Sequence, residues 1–161
     1  MEWTGAIHTF VHFDVRGADC YLAVDTVREV ILAPPITRVF RGPPFVHGVV
    51  NIRGEVIPVL DPGMLLGIEA RDGGGTPHML VVLEVDEYLV ALVTGGEVGV
   101  YQRTGDEIAQ PPVDLSIDAT DCVTGILPPA APGKGPGLIL DGHRFISLPP
   151  VAALRSGAEK A

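Results

Sequence analysis

The chain has 161 residues, 47% of them hydrophobic and 19% charged, with 20 glycines and 15 prolines. That length supports one domain with its own core, and so many turn-formers cut the apolar residues into short segments, which points to an all-β protein rather than a helical one. The formal net charge of −9 repels a phosphate backbone and an anionic lipid surface, so neither nucleic acid nor direct membrane contact is expected.

In chain order, "MEWTGAIHTF" lacks the basic start and apolar core of a signal peptide. Next, "FDVRGADCYLAVDTVREVI" reads as strand, polar turn at Arg16-Gly17-Ala18-Asp19, and strand. A second pair of strands follows in "HGVVNIRGEVIPVLD", residues 47–61, folded about a polar turn that carries Arg53 and Gly54. Gly54 permits the positive φ that a tight hairpin turn needs. "DPGMLLG" (61–67) is expected to form a helical turn with a proline near its start.

The clearest break is "EARDGGGTPH", residues 69–78. Beyond it the strand grammar returns: "VVLEVDEYLVALVTGGEVGVY" turns about Asp86-Glu87, and those acids with Glu84 keep the most apolar stretch from being a membrane span. "VTGIL" (123–127) parallels "VHGVV" (46–50). "LDGHRFISLPPVAAL" (140–154) aligns without a gap on "IRGEVIPVLDPGMLL" (52–66), placing Gly142 on Gly54, Leu148 on Leu60, Pro150 on Pro62 and Leu154 on Leu66. "PPAAPGKGPG" (128–137) reads as a flexible inserted loop, and "PPVAALRS" (149–156) as a second helical turn.

Two copies of such a unit indicate a duplicated small barrel, and closure hides the edges of so many Val- and Ile-rich strands. The expectation is a single domain over 1–161 holding two β sub-barrels of about five strands each. Their approximate segments are 10–70 and 77–155, with exchange of terminal strands left open, and Arg71–Pro77 is expected as an exposed connection.

Catalytic signatures are missing. His8 and His12 share a strand face but have no third ligand nearby, "PGKGPG" lacks the phosphate-loop spacing, and Cys20 and Cys122 stand in neither a nucleophile nor a CxxC pattern. They read as reduced thiols of a cytoplasmic protein. No cofactor, metal or enzymatic activity is expected.

The stretch "GVVNIRGEVIPVLD", Gly48 to Asp61, resembles the hallmark of the chemotaxis coupling-protein (CheW) family, G-V-x-N-[LI]-R-G followed by a strand ending P-[VI]-x-D. Upstream, Val27-Arg28-Glu29-Val30, Ile36-Thr37-Arg38-Val39 and Pro43 to Gly48 are similar to the family's V-x-E-[IV], I-T-x-[VI] and P-x-[FV]-[VI]-x-G segments. The resemblance runs from about Phe10 to Leu154. It thins after Thr94, where "VTGGEVGV" replaces a V-D-x-V stretch, "PPAAPGKGPG" interrupts a strand, and "SLPP" stands where the closing strand usually has an aspartate.

This resemblance implies two SH3-like five-stranded β sub-barrels packed together. It further implies a non-catalytic adaptor joining a chemoreceptor (methyl-accepting protein) cytoplasmic tip to the regulatory domain of the histidine kinase CheA. In the family pattern the arginine of N-[LI]-R-G pairs with the glutamate of V-x-E-[IV] at the partner surface, which gives Arg53 and Glu29 here. The expected partner-binding set is Val27, Glu29, Val49, Asn51, Arg53 and Gly54. Alternatives are an accessory adaptor that binds receptors but has lost the kinase, a regulatory domain detached from a kinase, and, from a different class, a small-ligand-binding β-barrel.

Overall fold

The computed structural model describes residues 3–69, 79–112 and 120–159. The expected Arg71–Pro77 connection lies outside the described residues. The described residues form ten strands: β1 Ile7–Val15, β2 Ala18–Ala23, β3 Val27–Leu32, β4 Val46–Ile52, β5 Glu55–Leu60, β6 Met79–Val85, β7 Tyr88–Val93, β8 Gly99–Thr104, β9 Val123–Leu127 and β10 Gly137–Leu140. Among the described residues, α1 Pro62–Leu66 and α2 Gly142–Ile146 follow β5 and β10, each across an aspartate, and α3 Pro149–Glu159 follows α2.

The strands form two five-stranded sheets, ordered β8-β1-β2-β10-β9 and β3-β6-β7-β5-β4. The two orders match position for position, so β1-β2 corresponds to β6-β7 and β9-β10 to β4-β5. Each sheet closes through one parallel pairing, β10 on β2 and β5 on β7. Both segments, 10–70 and 77–155, therefore contribute strands to both sheets.

Why β6 is apolar on both faces follows from three side-chain clusters. Leu80 and Val82 point into a core private to the second sheet, with Val50, Ile57, Val59 and Ala91. The alternate residues Val81, Leu83 and Val85 point into the large core shared by the sheets, with Val11, Phe13, Leu22, Leu60 and Phe145. Strand β1 does the same, since Phe10 joins Tyr21, Leu127 and Ile139 in the first sheet's own cluster. A period of two that serves two cores leaves no polar face, and the sequence shows runs rather than alternation.

The duplication holds, but its closing register differs from the gap-free alignment. Asp61 caps α1 by accepting from Gly63 N, Pro62 follows it, and Gly67 ends the helix at φ 71°. The matching cap is Asp141, which accepts from Arg144 N at the start of α2. Leu60-Asp61 therefore corresponds to Leu140-Asp141, and the closing strand's aspartate is Asp141 rather than missing at "SLPP". The gap-free alignment failed because the hairpin of the first half turns in two residues whereas β9 and β10 are joined by nine, 128–136, which displaces everything after them. "PPVAALRS" is also more than one turn: α3 runs 11 residues, with Val151 fully buried and its carbonyl accepting from Tyr88 Oη at 3.2 Å.

Cys20 and Cys122 are buried thiols that are not joined in a disulfide. Burial first, then the carboxylates of Asp14 and Asp19, push the Cys20 thiol far above its ordinary range, and burial pushes Cys122 up to about 12. Neither is a thiolate at neutral pH. The native protein is expected to leave a thiol-exchange dye unreacted and both cysteines to react after denaturation; fast native reaction at either would show that the shared core opens.

Candidate functional site

Three hairpins turn through two residues that both have positive φ: Arg16 (52°) with Gly17 (89°), Arg53 (50°) with Gly54 (84°), and Asp86 (50°) with Glu87 (67°). This is the requirement of a type I′ turn, whose twist matches the strands it joins. The Arg53 turn closes the Ile52↔Glu55 pair of β4 and β5, and Asn51 Oδ1 accepts from Gly54 N at 2.9 Å. Asn51 and Gly54 thus shape the tip, and Arg53 is presented by it.

Arg53 reaches Glu29 on β3 across the end of the second sheet's barrel. One guanidinium nitrogen, Nη2, lies 2.7 Å from Oε1 and 2.6 Å from Oε2. A single nitrogen serving both oxygens differs from the two-pronged fork that the residue types allow. The arginine side chain is 63% exposed and the glutamate 23%. The Glu29 hydrogen bond and charge hold the guanidinium above its already high ordinary pKa, so the arginine stays charged.

Around the pair lies a small cleft lined by Arg28, Glu29, Ile52, Arg53, Glu55, Ile57 and Val82. Ile52, Ile57 and Val82 belong to or pack on the inner core, so the floor is apolar and the rim is charged. Arg28 contacts Glu84 at 3.0 Å and Glu55 at 3.8 Å, crossing three strands. Arg28 and Glu29 are neighbours and would ordinarily face opposite ways, but the ladder is irregular between Val27 and Glu29, and both reach the cleft. Sequence reading missed Arg28 for this reason, since strict alternation removes one of any adjacent pair, and it missed Glu55 and Glu84 because they come from other strands that only the fold brings to Arg28.

Of the expected set, Glu29 and Arg53 meet at the cleft, and Asn51 and Gly54 build the turn. Val27 instead packs against the shared core. Val49 is half-buried, its N–H and C=O paired with Thr37 rather than facing the cleft. Gly48 makes that bridge possible: at φ 151°, a Cβ there would lie 2.2 Å from Thr37 O. The histidines are not brought together, because His8 Nε2 lies 3.4 Å from Thr4 O while His12 Nε2 lies 2.8 Å from Asp19 Oδ1. Among the described residues no group of three or more His, Cys, Asp or Glu could hold a metal ion.

Comparisons with known proteins agree with this layout. The family profile of the CheW-like domain matches residues 9–149. A probable chemotaxis protein CheW of Rhizobium etli is 29% identical over 108 residues, 67% of this chain and 68% of that one. The chemotaxis protein CheW of Klebsiella aerogenes is 24% identical over 152 residues, 93% of this chain and 88% of that one. Among solved structures, the scaffolding protein TtCheW of Thermoanaerobacter tengcongensis superposes with a TM-score of 0.70 at 27% identity, covering 84% of each chain. Profile, relatives and fold converge, and the chain belongs to the CheW-like family.

Proposed function

We propose that this protein is a non-catalytic adaptor that receives a chemoreceptor's cytoplasmic tip at the Arg53–Glu29 cleft and couples it to the regulatory domain of a histidine kinase of the CheA type. Family membership supports a chemotaxis coupling role in general. The observation that carries the specific reading is the cleft itself: the charged side chains of Arg28, Glu29, Arg53 and Glu55 line it together with apolar Ile52, Ile57 and Val82, and the Arg53 side chain is mostly exposed. A helix tip bearing apolar and carboxylate side chains meets both features at once. Arginine suits this task better than lysine because its planar head can keep one partner and engage another.

Co-sedimentation with a receptor cytoplasmic fragment and with the kinase, separately and together, tests the proposal. Recruitment of the kinase to the receptor that depends on this protein is the expected result. Binding of neither would overturn it.

The insert favours a second reading, an accessory adaptor with kinase contact weakened, because residues 128–136 stand exposed beside β2 and β10 and add bulk to the first sheet. Shortening them is then expected to increase kinase binding, and tight binding by the intact protein would exclude the loss.

A further inference from the structure

Two sequence features left outside the proposed adaptor site, His12 and the Pro/Gly-rich insert, meet at one buried carboxylate. Asp19, on β2, has a side chain only 4% exposed. It accepts from His12 Nε2 at 2.8 Å and from Lys134 Nζ at 3.1 and 3.2 Å. Lys134 sits in the middle of the insert, where its N–H bonds Ala131 O at 3.2 Å and Gly133 turns the chain at φ 85°. At the insert's end, Gly137 lies so close to the Tyr21 ring that a Cβ would approach it to 2.7 Å. The segment expected to be a free loop is thus held at two points.

We propose that residues 128–137 form a strap latched to the first sheet by Lys134 on Asp19, and that protonation of His12, which shares the carboxylate, loosens the latch. A neutral imidazole donates one hydrogen bond and leaves the full negative charge to Lys134. A protonated one neutralises Asp19 and places a second cation beside the ammonium, which weakens the lysine's hold. The strap is tighter on the alkaline side.

The surroundings of His12 bear this out. Asp19 and Tyr21 face it from β2, with the Tyr21 ring at 4.9 Å, and Tyr101 faces it from β8 at 5.3 Å, with Arg103 stacked on the far ring. On its own strand Asp14 lies opposite Asp19 in register. Two carboxylates across one strand pair repel, and Lys134 is the cation that reaches Asp19 while His12 meets it through a hydrogen bond. Burial pushes the Asp19 carboxyl up, but the hydrogen bonds and charges of His12 and Lys134 outweigh it and hold the group below its ordinary range. Its stabilising contribution is therefore complete above about pH 4 and fades as pH falls through the lower folded value. Asp19 stays ionised over the interval in which an imidazole gains its proton.

The test is backbone 15N relaxation of the full chain at about pH 7.5 and about pH 5.5, reading order parameters at Gly133 to Gly135. The wild type is expected near 0.85 at the higher pH and below about 0.6 at the lower. Lys134→Met should be below about 0.6 at both, and His12→Gln, whose amide can donate without gaining charge, should stay near 0.85 at both. Unchanged shifts for Phe13 and Leu140 would show that each variant is folded. A disordered wild-type segment at both pH values, an ordered one in Lys134→Met, no pH response in the wild type, or a response that survives in His12→Gln would each overturn the proposal.

Discussion

Replacing Arg53 by alanine is expected to weaken receptor-tip binding by about tenfold or more while leaving the melting temperature nearly unchanged. The two halves of that expectation have separate causes. Binding falls because the guanidinium is the exposed cation of the cleft and fixes Glu29 beside it. Stability holds because the side chain is 63% exposed, and an exposed ion pair adds little. The turn sharpens the test. Arg53 occupies a left-handed backbone position that asparagine and glycine tolerate far better, so Arg53→Asn should fold at least as stably as the wild type and still lose the receptor. Equilibrium binding and thermal melting on the same samples check both arms; a drop in melting temperature that accounts for the binding defect would place Arg53 among structural residues instead.

Much of this was readable in the chain because local chemistry and global fold agree there. Gly54 after a polar residue, between two Val- and Ile-rich runs, specifies the hairpin, and Asp61-Pro62 specifies the helical turn after it. The pairing of Arg53 with Glu29 came from the family pattern, since nothing in spacing alone joins residues 24 positions apart. Three things were not readable. Which strands share a sheet depends on the parallel pairings β5-β7 and β10-β2, and parallel partners leave no turn between them in the sequence. The true repeat register was hidden by the insert, because alignment followed Gly54 and Gly142 although one sits in a β-turn and the other opens a helix. The order of the insert was hidden because glycine and proline report what the backbone can do, whereas Lys134 is tied by a carboxylate 115 positions away.

The hairpin of β1 and β2 supplies the counterpart to Arg53, and its expected result is opposite. Arg16 stands in the same two-residue Arg-Gly turn, also at positive φ, but its guanidinium turns inward. Nη2 donates to Asp61 Oδ2 at 2.6 Å and Nη1 to Ile68 O at 2.8 Å, with the two side chains 25% and 12% exposed. This contact joins the first sheet's hairpin to the cap of α1 beyond the second sheet, so it bridges the two barrels. Asp61 is triply used: it pairs Arg16, caps Gly63 N at 2.9 Å, and lies 3.7 Å from His47 Nε2. Asp61→Ala removes a cap, typically about 1 kcal/mol, and strands a largely buried guanidinium, so a total loss of about 3 kcal/mol is expected. Arg16→Ala keeps the cap and strands the carboxylate instead, and about 2 kcal/mol is expected. The double variant should lose less than the sum, because the second removal relieves the unpaired charge left by the first. Urea denaturation of the four proteins measures all three quantities, and strict additivity would mean that the Arg16–Asp61 contact contributes nothing of its own. If the barrels are instead held together by the shared core alone, Arg16→Ala will unfold at the wild-type midpoint and Asp61→Ala will lose only its cap, about 1 kcal/mol, so that the turn will have placed Arg16 without structural consequence.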